Sequence, residues 1–204
     1  DGTLIDSMNV WTEIDAEFLK EYGIDFPENF YEDIKDLSFA DTAFYFADKL
    51  KIPMTPKEIM DKFNAMAREK YEKTVPLKKG VYDFIMQEKK KGTKLCVATA
   101  NNKELAILAL KRLGVYDAMD FVLTCDEISA GKGTPEIYIK SVEKMELDIS
   151  ETAVFEDVLI AVDSAKSAGF YVVGVSEETA SDDREKIKEK CDLFIEDYTC
   201  LLEK

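Results

Sequence analysis

Apolar residues between positions 8 and 79 recur at three- and four-residue spacing, the signature of helices with one buried face. Trp11, Ile14, Phe18 and Tyr22 form a first stripe, which Gly23 closes. Ala40, Ala43, Phe44, Ala47 and Leu50 form a second, ended by Pro53 and Pro56. Ile59, Phe63, Met66 and Lys70 to Tyr71 continue a third toward Pro76. Three such faces predict a small helical bundle, with Trp11, Phe39, Phe44, Tyr45 and Phe46 in its core. From Gly80 the pattern changes. Helical stretches over 80–91, 103–113, 135–146, 159–168 and 182–190 each precede a short apolar run: KLCVAT, DFVLT, TAVFED, FYVVGVS and DLFIED. Runs apolar on both faces are strands covered by helices on both sides. Their alternation with helices predicts an α/β fold with a doubly wound parallel sheet. The expected organisation is an α/β core of residues 1–8 and 80–204 with a helical domain, 9–79, inserted into it.

In such sheets functional groups gather beyond the carboxyl ends of the strands. The first run ends in Thr99, followed by Ala100, Asn101 and Asn102. The second opens into Asp126, Glu127 and then Gly131-Lys132; the third ends in Glu156-Asp157; the fourth leads to Ser176, Glu177 and Glu178. The segment DGTLIDS at residues 1–7 adds an Asp-Gly turn with hydroxyls and a second acid. Several carboxylates, one threonine and one lysine on one face suit a divalent cation held by oxygens and a phosphate held by the lysine and threonine. Each group also has a plainer reading. Glu156-Asp157 could cap the following helix, Asp6 and Ser7 read as caps of the first helix of the insert, and Asn101 and Asn102 read equally as helix caps or substrate contacts.

Composition narrows the chemistry. The chain has 204 residues, of which 46% are hydrophobic and 34% charged, enough for a buried core. A net charge of −15 argues against general nucleic-acid binding. The count of zero histidines removes Ser-His-Asp and Cys-His catalysis and every His-ligated metal. Four cysteines without a C-x-x-C pair read as reduced thiols of a cytoplasmic protein, Cys96 and Cys125 as small buried hydrophobes. No apolar run approaches the roughly 18 residues of a membrane span.

The order DGTLIDS, VATANN, GKGTPEIY and VFEDV resembles the four motifs of the haloacid dehalogenase-like phosphatases, in the subgroup of β-phosphoglucomutase and small sugar phosphatases. The resemblance implies that the helical insert is the small cap of this subgroup. It also implies roles. Asp1 matches the second aspartate of an Asp-x-Asp-Gly-Thr motif, the general acid/base, whose pKa must then lie well above its ordinary value. The nucleophilic aspartate would stand two residues ahead of Asp1, at the end of an apolar strand that completes the sheet. Mg2+ would be held by that aspartate, the main-chain carbonyl of Asp1 and Asp157, with Glu156 as a second acid. Lys132 would shield the phosphate, while Thr99 and the amides of Ala100 and Asn101 donate to it. The implied activity is hydrolysis of a small phosphate monoester through an aspartyl phosphate, in a monomer whose partner is a small phosphorylated metabolite. A phosphohexomutase is the alternative. It would need a second phosphate clamp, yet the stretch DLSFADTAF has Ser38-Phe39 where the mutase pattern has an arginine, which leaves Arg68 and cap lysines such as Lys78 or Lys79. The third motif also departs from Lys-Pro-x-Pro-Asp at Gly133 and Glu136. Should the upstream aspartate be absent, the resemblance leaves a non-catalytic phosphate- and metal-binding protein.

Overall fold

The structure, a computed structural model, describes residues 1–34 and 39–203. The chain divides into two compact units, Asp1–Met8 with Val75–Lys204, and Asn9–Thr74.

The unit Asn9–Thr74 consists of α1 (Val10–Glu21), α2 (Phe30–Ile34), α3 (Phe39–Asp48) and α4 (Pro56–Lys73). Thr55 starts α4 with a capping box: its hydroxyl accepts the Glu58 N–H, and the Glu58 carboxylate accepts the Thr55 N–H, ahead of Pro56. Phe18, Phe46 and Phe63 meet at the centre, their ring centroids 4.8–5.5 Å apart and close to edge-on. Of the five aromatics expected in this core, only Phe46 is fully buried. Trp11 is 39% exposed, Phe39 37% and Phe44 59%. α1 buries Val10, Ile14, Asp15, Phe18 and Leu19, and Trp11 stands in the first turn of the helix, one turn ahead of Asp15. α3 buries Ala43 and Phe46, which turns Phe44 outward. Ser38 lies outside the described residues.

The other unit alternates as expected: α5 (Val81–Lys91), β1 (Cys96–Thr99), α6 (Lys103–Arg112), β2 (Phe121–Thr124), α7 (Cys125–Ile128), α8 (Glu136–Met145), β3 (Ala153–Glu156), α9 (Leu159–Ser167), β4 (Tyr171–Val175), α10 (Arg184–Lys190) and β5 (Leu193–Ile195). Every ladder is parallel. β1 pairs β2 with Val97 opposite Val122; β3 pairs β4 with Val154 opposite Val172; β4 pairs β5 with Gly174 opposite Phe194. Consecutive strand residues feed opposite faces. Val173 and Val175 pack with Val81, Ile85, Ala106 and Leu110 of α5 and α6, whereas Val172 and Val154 pack with Ile137, Val142, Val162 and Ile187 of α8, α9 and α10. This is the doubly wound arrangement. Cys125 is buried in the second cluster and Cys96 half-buried in its strand.

Residues 75–79, read from the sequence as the end of the helical domain, belong to the α/β unit. The DGTLIDS turn holds them: Ile5 bridges Leu77, the Asp6 N–H donates to the Pro76 carbonyl at 3.0 Å, and the Lys78 N–H donates to the Leu4 carbonyl at 2.9 Å. Lys78 and Lys79 are therefore not cap residues. The strands form two ladders, β1-β2 and β3-β4-β5. A cavity of about 810 Å3 has Leu4, Val97, Ala98, Val154, Phe155 and Tyr198 in its lining. Among the described residues no helix is long and apolar enough to cross a membrane.

Candidate active site

The polar end of that cavity collects four residues singled out by the sequence, Asp1, Thr99, Lys132 and Glu156, and two that were not, Thr3 and Tyr138. The DGT turn is tight: the Gly2 N–H donates to the Ile5 carbonyl at 3.0 Å and the Thr3 N–H to the Asp1 carbonyl at 2.7 Å. Gly2 has φ +67°, and a Cβ there would lie 2.0 Å from Asp157 Oδ2. Glycine is required both for the left-handed backbone and for the approach of this turn to the end of β3. The Thr3 hydroxyl uses that proximity to donate to Asp157 Oδ1 at 2.6 Å.

The Asp1 carboxylate is held from two sides, by the Ser7 hydroxyl on Oδ1 at 2.5 Å and by Asn101 Nδ2 on Oδ2 at 2.8 Å. Ser7 is thus a site residue and not a helix cap. It is buried, and α1 begins only at Val10, after Asn9, which makes no side-chain cap bond. The two asparagines separate their roles. Asn102 caps α6 through the N–H groups of Glu104 and Leu105, while Asn101 reaches Asp1. The Asn101 N–H donates to Thr99 Oγ1 at 3.0 Å, so Thr99, buried at the end of β1, is tied to Asp1 through one intervening residue. Ala100 is exposed between them.

Opposite stands a buried acid. Glu156 is 2% exposed; its Oε1 accepts from Lys132 Nζ at 2.6 Å and from the Tyr138 hydroxyl at 2.8 Å, while its Oε2 is buried and has no donor among the described residues. Tyr138 holds its proton well beyond the usual phenol range, through burial first and the neighbouring Glu156 second. Burial also raises the Asp157 carboxyl, opposed by the Thr3 hydroxyl and reinforced by the charge of Glu156. Among the described residues no three His, Cys, Asp or Glu side chains form a metal-holding group. The carboxylates of Glu156 and Asp157 lie close enough for the charge of one to act on the other.

Sequence reasoning missed Ser7, Thr3, Tyr138 and the pair Lys78–Glu177. Lys78 Nζ lies 2.6 Å from the Ser176 carbonyl and 2.7 Å from Glu177 Oε2, with both side chains largely buried. A hydroxyl at the sixth position after Asp1 and a tyrosine six after Lys132 are the signals that carried the first and third; both fall inside the motifs quoted from the sequence.

A family model described as "Haloacid dehalogenase-like hydrolase" matches residues 1–175. The chain is 25% identical over 169 residues to the phosphorylated carbohydrates phosphatase of Thermotoga maritima, covering 83% of this chain and 78% of that one. It is 31% identical over 120 residues to the validoxylamine A 7'-phosphate phosphatase of Streptomyces hygroscopicus subsp. limoneus, covering 59% of this chain and 54% of the relative. The crystal structure of a candidate β-phosphoglucomutase from Thermotoga maritima superposes with a TM-score of 0.84 at 23% identity, over 96% of this chain and 90% of that one, a likeness of fold.

Proposed function

This chain belongs to the haloacid dehalogenase-like hydrolases, and from that premise we propose that it is a Mg2+-dependent phosphatase of a small phosphate monoester, a sugar phosphate or similar metabolite, acting through an aspartyl phosphate. The observation that carries the reading is the Asp1 carboxylate, fixed by Ser7 and Asn101 beside Thr99 and Lys132. A carboxyl gripped on both oxygens keeps one orientation, which a proton donor to a leaving alcohol needs. Asp1 gives its proton to the departing oxygen and later takes one from the attacking water. Thr99 retains its hydroxyl proton for a phosphate oxygen, because its own oxygen accepts from Asn101. Lys132 supplies the fixed positive charge, and its bond to Glu156 holds the ammonium in place.

The donor set fits a hard divalent cation. Glu156 Oε2 is buried and has no donor among the described residues, and the adjacent Asp157 carboxyl is raised by burial and by that neighbour, a concentration of negative charge that a cation relieves. Asp157, Glu156 and the Asp1 carbonyl would hold it; Mg2+ commonly takes only one or two carboxylates and completes its shell with water and phosphate. When bound, it would offset the charge on the phosphate oxygens. The relative named as a phosphorylated carbohydrates phosphatase supports a hydroxylated ester. The mutase alternative keeps Arg68 as its clamp candidate in the helical unit, since Lys78 and Lys79 belong to the α/β unit and are paired with Glu177 and Asp197.

The family's motif places the nucleophilic aspartate two residues ahead of Asp1, so the assay uses protein carrying that position. Phosphate release from a panel of sugar, polyol and nucleoside monophosphates is expected with Mg2+ and is expected to vanish with chelator. Asp1→Asn should lower kcat by about 10²–10⁴-fold, the usual share of general acid-base catalysis. Conversion of a hexose 1-phosphate to its 6-phosphate without release would establish the mutase. Phosphate binding without turnover of any ester would leave a non-catalytic protein.

A further inference from the structure

Tyr138 is the third residue of α8, 3% exposed, with its ring centroid 6.1 Å from that of Phe170. Its main-chain N–H donates to the Pro135 carbonyl at 3.1 Å, which ties it to the end of the loop that carries Lys132. Its hydroxyl reaches the end of β3, where Glu156 Oε1 accepts it at 2.8 Å. The same oxygen accepts from Lys132 Nζ at 2.6 Å. Glu156 therefore has two donors on one oxygen and, among the described residues, none on the other, although that oxygen is buried too. A bare buried oxygen is costly, and the second donor could have satisfied it. The two donors differ in stiffness. A lysine ammonium is a compact charge on a flexible four-carbon stem, and the torsion that turns a glutamate carboxyl is broad. Lysine alone would leave the carboxylate free to turn and to grip the ammonium with both oxygens. A tyrosine has only two side-chain torsions, and this ring is held in the buried cluster that includes Cys125, Val142 and Phe170.

We infer that Tyr138 is a positioning residue, whose hydroxyl fixes the Glu156 carboxylate so that Oε1 holds the Lys132 ammonium and Oε2 stays open to a divalent cation. A buried phenol needs an acceptor in any case, and main-chain carbonyls serve that purpose elsewhere in this unit. Ser141, one turn along α8, donates to the Ile137 carbonyl at 2.8 Å, and the buried Tyr198 donates to the Thr3 carbonyl at 3.2 Å. Tyr138 instead donates to a carboxylate oxygen that it shares with Lys132, and that sharing gives it a role beyond packing. The inference rests on the proposed phosphatase for the use made of Lys132 and the cation; the two bonds on Oε1 do not depend on it.

Protein carrying the position two residues ahead of Asp1 is titrated with Mn2+, whose free form is counted by electron paramagnetic resonance, and separately with orthophosphate. For the best ester, kcat and KM are measured over a range of Mg2+. Tyr138→Phe keeps the ring, removes only the hydroxyl and should fold as the parent does. It is expected to weaken Mn2+ binding about 10–100-fold, the usual share of a partner that orients a metal ligand. kcat/KM should fall by a similar factor at limiting Mg2+, a loss that excess Mg2+ recovers. A tyrosine that serves packing alone would lower the thermal midpoint and leave the Mn2+ constant and the Mg2+ dependence unchanged; that result would overturn the inference. Lys132→Met separates the two arms of Glu156. With Tyr138 in place it should bind Mn2+ at least as tightly as the parent while losing orthophosphate. Mn2+ binding weakened alike in both variants would mean that any disturbance of Glu156 suffices, and would also overturn the inference. Mn2+ binding that depends on Tyr138 in a protein that releases no phosphate would retire the phosphatase and keep the positioning role. Phosphate release with equal Mn2+ constants in parent and Tyr138→Phe would do the reverse.

Discussion

Asp15 is an acid buried on α1, 7% exposed, with a consequence for stability. Its carboxyl has an ordinary value of 3.8 and is pushed up to about 7 by burial, so the folded protein holds the proton more tightly than the unfolded chain does. The stabilisation this gives is complete below the ordinary value and is lost as pH rises through 7. Thermal midpoints are therefore expected to fall between pH 5 and pH 8. Asp15→Asn should flatten that slope and stabilise the protein at pH 8 by about 3–4 kcal/mol, following about 1.4 kcal/mol per tenfold difference in proton affinity. A parent protein whose midpoint does not change across that range would remove the buried acid from the account. Asp1 presents the opposite case at the same scale. Its two donors, Ser7 and Asn101, come from segments nearly a hundred residues apart, and their geometry serves orientation before stability.

At the scale of elements, two adjacent lysines show how the fold sorts like residues. Lys78 is 14% exposed through its side chain and pairs with Glu177, which is 3% exposed, whereas Lys79 is 74% exposed and pairs with Asp197 on the surface. Lys78 joins the segment after α4 to the residues following β4, while its N–H secures the DGTLIDS turn. Lys78→Met leaves a buried carboxylate without its partner and is expected to cost about 2–4 kcal/mol; Lys79→Met should leave the urea midpoint unchanged. Burial opposes ionisation of Glu177, but the Lys78 ammonium and the Thr179 amide and hydroxyl together hold it below its ordinary value. Its contribution is thus present above about 4.5 and lost on acidification below it. Equal midpoints for the two variants would refute the buried bridge. Which parts of this were legible follows from signal length. α1, α4 and the five strands announced themselves because helical stripes and runs apolar on both faces persist over three residues or more. α2, at five residues, is too short to show a period. Ser7 read as a cap because a hydroxyl before a helix normally is one, and only the late start of α1 turns it inward. Thr99, Lys132, Glu156 and Asp157 were legible by their places at strand ends; Asp15 was not, since one acid among WTEIDAEF looks like the solvent face.

The whole molecule combines a helical unit with a closed aromatic core and an α/β unit whose sheet is in two ladders. β1 has β2 on one side and β3 has β4 on one side, and apolar side chains of both line the 810 Å3 cavity. A strand edge without a partner presents N–H and C=O groups that favour pairing, and apolar lining of this kind favours an apolar insert. An extended segment of about five or six alternating or wholly apolar residues, running parallel to its neighbours, would pair with both edges and fill the cavity in one step. The cavity's polar end, at Asp1, Thr99, Lys132 and Glu156, fixes which way such a segment would run: its carboxyl end would meet the site. Protein bearing an apolar hexapeptide joined through one or two residues to Asp1 is therefore expected to melt at least 5 °C higher than the 204-residue chain, taking about 1 kcal/mol as roughly 2–4 °C for a domain of this size. Amides of Cys96 to Thr99 and Ala153 to Glu156 should gain protection from hydrogen exchange, and those of β5, already paired with β4, should not change. The same extension with lysine at alternate positions keeps the length and the backbone donors but cannot enter an apolar slot. Equal stabilisation by both extensions would mean that tethering alone, not strand insertion, raises the midpoint, and would leave the two ladders as separate sheets.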